Sequence, residues 1–164
     1  MKWYEDKMYW VMCEKAEEIQ KKFDFLSNMD YRDSYVCKKH KCLIRLSDHY
    51  YCPEINGNVC IYPKNLTWLP TQEELQEMID WKQLYSFEII PEIGGNKFLG
   101  RIWDSEGERV YDVWCNSINQ LWLAFVMYLN YHKVWSSQSG GRWIKEEKCQ
   151  NYLTEVKKKS SKKL

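Results

Sequence analysis

The sequence predicts an α+β fold: an antiparallel sheet of four to six strands, packed by an N-terminal helix and a long helix near residues 117–133. Three observations point there. Apolar residues recur at three- and four-residue spacing near the start of the chain and again after residue 117. Between them lie period-two segments joined by short polar turns, the pattern of an antiparallel meander. Two Ser/Thr-x-x-Glu/Gln signatures, Thr71/Glu74 and Ser117/Gln120, mark helix starts.

Residues 1–26 read as a helix. Met8, Met12, Ile19, Phe23 and Leu26 form one apolar stripe, with Ala16 filling in, while Glu14, Lys15, Glu17, Glu18, Lys21 and Lys22 suit water. "SYVCKKHKCLIRL" (34–46) has strand composition. In "YYCPEINGNVCIY" (50–62), Asn56-Gly57 favours the positive-φ turn of a hairpin, and Pro53 suggests an edge strand. Residues 63–70 read as a loop. Thr71 then caps a short helix with Leu75, Met78 and Ile79 on its apolar face. Tyr85, Phe87 and Ile89 alternate with Ser86 and Glu88. "KFLGRIW" and "RVYDVWC" follow as strands joined by Asp104-Ser105-Glu106-Gly107. The helix after Ser117 has a broad apolar surface, which suits one lying across a sheet. "SSQSGG" (136–141) reads as a loop, and 145–157 as a last helix fraying into a tail.

At 164 residues the chain has the length of one domain, taken as 1–156, with a basic tail over 157–164. The net charge of +1 hides an asymmetry. Without the lysines at 157, 158, 159, 162 and 163 the body is about −4, the wrong sign for a nucleic-acid-binding face. Any polyanion contact is confined to the lysine tail. No apolar run approaches a membrane span and the first residues lack a signal-peptide core, so a cytoplasmic location is expected, with the seven cysteines reduced.

"TWLPTQEELQEM", "QLWLAFVM", "KVW" with a later "RW", and "MCEKAEEIQ" resemble blocks in a group of small uncharacterised proteins encoded by bacteriophages and prophages. The likeness covers about half the chain in scattered pieces. The cysteine-rich stretch 37–60 and "SSQSGG" depart from it. The resemblance implies a phage-type origin and carries over no activity or site residue.

No motif dictates a chemistry. Cys37, His40, Cys52 and Cys60 are a weak zinc alternative, since zinc favours thiolate and imidazole. The spacing is against it: His40-x-Cys42 is too tight for a knuckle, and no second Cys-x-x-Cys follows. Buried cysteines are the simpler expectation. Cys115 precedes a capped helix, but His132 lies at that helix's far end, roughly 25 Å away at 1.5 Å per residue, so the two cannot pair within it. Glu73, Glu77 and Asp80 share a helix face and read as solvated. Neither Gly-Gly pair is a phosphate loop. Neither a catalytic residue nor a cofactor is expected.

The aromatic content is the distinguishing feature. Nine Trp, twelve Tyr and five Phe make 16% of the chain. Satisfying every indole N–H inside so small a core is difficult, so some rings should form a recognition patch. The candidates are Trp68, Trp81, Trp103, Trp114, Trp135 and Trp143, beside loops and strand ends, with Arg101, Arg109 and Arg142; Trp10 and Trp122 are assigned to the core. The expected function is a non-enzymatic phage-type protein that binds and inhibits a host bacterial protein, with an anti-CRISPR-like inhibitor as its sharpest form. The alternative is an aromatic-lined module that sequesters a nucleotide, one of those arginines taking its phosphate.

Overall fold

A computed structural model describes residues 6–22, 34–38, 42–45, 51–52, 57–58, 66–81, 86–104, 106–137 and 140–146. It has the expected α+β class, with the strands distributed over several antiparallel sheets rather than one. The chain forms two compact units, Met1–Leu75 and Gln76–Leu164.

In the first unit the N-terminal helix is two pieces, α1 (Lys7–Lys15) and α2 (Glu17–Lys22), interrupted at Ala16. Asp6 caps α1, its carboxylate accepting from the amides of Met8 and Tyr9. Residues 23–26 of the expected stripe lie outside the described residues. The buried positions are Tyr9, Met12, Cys13, Ala16 and Ile19, while Met8 is 45% exposed. The stripe is thus rotated by one residue at its start. The larger Tyr9 ring goes inside because its hydroxyl donates to the Pro70 carbonyl.

The segment 34–46 is a hairpin rather than one strand. β1 (Ser34–Cys37) and β2 (Leu43–Arg45) pair antiparallel, and the Cys37 N–H donates to the Cys42 carbonyl across the turn. The polar Lys-Lys-His-Lys run interrupts the apolar alternation there. Within the expected 50–62 hairpin, β3 (Tyr51–Cys52) and β4 (Gly57–Asn58) pair antiparallel, with Gly57 opposite Cys52 instead of sitting in the turn; Pro53 and the other residues of that stretch lie outside the described residues.

Residues 66–69, read from sequence as loop, are strand β5 (Leu66–Leu69), antiparallel to β1 in the order β2-β1-β5. Every residue of β1 and β5 is buried, so neither shows the alternation of a half-exposed strand. The outer side of β5 is closed by a side chain. The Gln20 amide donates to the Trp68 carbonyl at 3.0 Å and accepts the Trp68 N–H at 2.9 Å, standing in for a neighbouring strand. The Thr71/Glu74 capping box forms as expected and starts α3 (Gln72–Glu77).

The second unit contains the predicted meander: β6 (Ser86–Pro91), β7 (Phe98–Trp103) and β8 (Arg109–Cys115), in that order. Asp104 builds the β7–β8 turn, its carboxylate accepting from the amides of Glu106 and Glu108. A bulge between Ile102 and Trp103 brings Trp103 opposite Arg109. Helix α4 (Ile118–Tyr131) lies on one face of this sheet, with residues 119–128 all buried. Ser117 caps it through the Gln120 amide, but the Gln120 side chain reaches back to the Asn116 N–H, one residue short of the cap itself.

Gly100 sets how close α4 comes. A Cβ there would lie 2.6 Å from Phe125 Cζ and 3.0 Å from Leu121 Cδ1. Rings fill the space around that contact. Tyr111 stacks on Tyr128 at 4.1 Å, and Trp122, Phe125 and Phe87 meet edge-on. The Tyr128 hydroxyl donates to the carbonyl of the bulged Val110 at 2.8 Å. α4 ends at His132 in the left-handed conformation (φ 55°), its N–H donating back to the Met127 and Tyr128 carbonyls. A hairpin missed in the sequence follows, β9 (Lys133–Ser136) with β10 (Arg142–Lys145), joined through Gly140 and Gly141 at positive φ. The final helix expected over 145–157 begins within β10; residues 147–164, including the tail, lie outside the described residues.

Two substitutions test this account. Gln20→Ala removes both hydrogen bonds to the Trp68 backbone and should cost about 2–4 kcal/mol, read as a lower urea midpoint and faster exchange of the Trp68 amide. Gly100→Ala should cost about 1–3 kcal/mol by overpacking. Thermal melts should show Phe125→Leu recovering part of that loss in the double variant.

Candidate recognition surface

The β6–β7–β8 register assigns side chains to faces. Gly100 lies under α4, so Phe98, Gly100 and Ile102 face the helix while Leu99, Arg101 and Trp103 point the other way. Cross-strand pairing then lays out three rows on the face opposite α4: Ile90–Leu99–Trp114, Glu88–Arg101–Asp112 and Ser86–Trp103–Arg109. Four of the nine sequence candidates, Trp103, Trp114, Arg101 and Arg109, therefore share one surface. Trp114 is 57% exposed, Trp103 half-buried and Leu99 buried.

The charges on this face are matched internally. Arg101 Nη1 lies 3.5 Å from Glu88 and its Nε 4.0 Å from Asp112, and Arg109 Nη1 is 3.5 Å from Asp112. The bulge makes the last pair possible, since on a regular strand residues 109 and 112 would face opposite ways. Partial exposure leaves each pair worth little to stability. Their effect is to tie both guanidinium groups to carboxylates of the same face, with the Arg101 row lying between those of Trp114 and Trp103.

The other candidates lie elsewhere. Trp81, 44% exposed, packs at 5.4 Å on Phe87, itself 40% exposed, on the α4 side of the sheet. Trp135 and Trp143 are cross-strand partners on β9 and β10, 5.1 Å apart. Trp143 is only 8% exposed and Arg142 is exposed opposite Ser136. Trp68 is 6% exposed within β5. The expectation that Trp68 and Trp143 present rings at the surface is corrected: the first lies in a strand buried along its length, and the second is covered in part by its neighbour Trp135. Trp122 is buried as expected, and Trp10 half-buried. Sequence reasoning missed Phe87, Ile90 and Leu99. Alternation assigns Phe87 to the core face correctly, but nothing in it says that β6, among the described residues, pairs on one side only and leaves that ring half uncovered.

Cys37 and Cys42 are buried, and no three potential ligands group together among the described residues. His40, Cys60 and the Cys52 side chain lie outside them. Glu73, Glu77 and Asp80 are exposed. Cys115 ends β8 and is buried. Among the described residues no helix is long and apolar enough to cross a membrane. No protein-family model, curated protein or solved structure matches this chain.

Cys13 is fully enclosed in α1, and burial pushes its thiol well above the ordinary range, against a smaller lowering by the Tyr9 hydrogen bond. It should resist iodoacetamide at neutral pH in the folded protein and react readily in denaturant, as peptide mass spectrometry would report.

Proposed function

We propose that this chain is a non-catalytic binding protein whose β6–β7–β8 face, opposite α4, docks on another protein. The observation that carries this reading is the gathering of Trp103, Trp114, Arg101 and Arg109 on that face, because Trp and Arg are the residues most enriched where interface energy concentrates. With the phage-like sequence blocks, the partner we propose is a protein of a bacterial host, met in the host cytoplasm. Inhibition of a defence effector is the narrowest form of the proposal. The nucleotide-sequestering alternative is less well supported. Arg101 and Arg109 already face Glu88 and Asp112, so a phosphate there would compete with two carboxylates.

The test is capture of a host protein by the tagged chain, repeated with variants. Trp114→Ala should weaken the captured complex by about 2 kcal/mol, roughly 30-fold in Kd. Trp135→Ala, on the other hairpin, should leave it unchanged. Equal effects of the two, or quenching of tryptophan fluorescence by a cyclic dinucleotide with a raised melting temperature, would count against this reading.

A further inference from the structure

We propose that two copies of this chain pair through the outer edge of β6, antiparallel and centred on Ile89. The inference uses a different surface from the docking face and does not rest on it. The Glu92 N–H donates to the Lys97 carbonyl at 2.9 Å, which fixes the alternation along β6. Ser86, Glu88 and Ile90 spend their backbone groups on β7, leaving those of Phe87, Ile89 and Pro91 directed outward. Among the described residues β6 pairs with β7 alone, and its residues are exposed or half-exposed.

Two other sheet edges among the described residues, those of β5 and β8, are blunted. Gln20 occupies the outer side of β5. β8 has a bulge, the Tyr128 hydroxyl on the Val110 carbonyl, and charges at Arg109 and Asp112. Among the described residues β6 has no bulge and no side chain bonded to its outward groups, and its edge is interrupted only at Pro91, which lacks an N–H. Its one strand-interior charge, Glu88, points to the open face and is drawn toward Arg101. Two of the large exposed apolar residues, Trp81 and Phe87, lie at this edge.

The strand is complementary to itself in one register. Centring on Glu88 would oppose two carboxylates and is disfavoured. Centring on Ile89 sets each Glu88 beside Ile90 of the second copy. Ile89 then exchanges both backbone bonds with its counterpart. Each Phe87 N–H reaches the Pro91 carbonyl of the second copy, and Pro91, lacking an N–H, offers only that acceptor. On the α4 side, Phe87, Ile89 and Pro91 of one copy meet Pro91, Ile89 and Phe87 of the other as one apolar row. Ser86 comes to lie opposite Glu92 of the second copy, a hydroxyl donor against a carboxylate.

Light scattering on the full chain over a concentration series should give twice the chain mass. Ile89→Pro removes an outward N–H and leaves the bonds to β7 in place, so the mass should fall to that of one chain, with circular dichroism reporting whether the fold is kept. Cross-linking decides independently of that variant. Directly opposed residues of this kind have Cα atoms about 5.5 Å apart, within disulfide reach. On oxidation, Ile89→Cys should give several-fold more covalent dimer than either Glu88→Cys or the parent chain. A parent chain at single mass throughout, a folded Ile89→Pro that still dimerises, or Glu88→Cys cross-linking as fully as Ile89→Cys would overturn the proposal.

Discussion

The second unit depends on the distance between α4 and β7. With no side chain at Gly100, the Phe125 ring and the Leu121 methyl come into the space a Cβ would take. From that approach follow the stack of Tyr111 on Tyr128 and the edge-on contacts of Trp122 with Phe87 and Phe125. A helix standing farther off would leave those rings with gaps, and a gap too small for water forfeits dispersion contacts without replacing them. Closing one face of the sheet this tightly also defines the other. Trp103 and Trp114 face away from α4 because alternate positions of β7 and β8 are committed to it.

The first unit meets a related constraint with a polar group. A buried edge strand must satisfy its outward N–H and carbonyl, and an amide side chain carries a donor NH2 group and an acceptor oxygen at the right separation. Gln20 fills that role for Trp68, and α2 holds it beside β5. The same physics explains how Trp68 can lie in a strand buried from end to end.

Much of the architecture was legible in the sequence. The meander, both helix caps and the long helix follow from period, turn chemistry and Ser/Thr-x-x-Glu/Gln spacing. What was missed has identifiable causes. "LTWL" reads as loop because it lies between polar and proline residues and a strand buried on both faces shows no alternation. The split at Ala16 breaks a sequence whose composition is helical throughout. β9 and β10 are too short to show period two, and the Gly-Gly turn looks like flexible linker. The candidate surface was half legible. That tryptophan and arginine would cluster could be anticipated, but which indoles share a face depends on register and on the bulge at Trp103, and neither is written in composition. Trp68 and Trp143 were misplaced because a position beside a loop does not distinguish a covered ring from an open one.

If this face docks as proposed, the interlocked charges beside Trp103 and Trp114 have a kinetic meaning. Two guanidinium groups and two carboxylates within a few ångströms of each other cancel as seen from a distance. Such a patch exerts little long-range pull on an approaching molecule, so encounter there would proceed at the unsteered diffusional rate and vary little with ionic strength. Strength of association would then reside in how slowly the complex comes apart, which is a property of the indole rings rather than of the field around them.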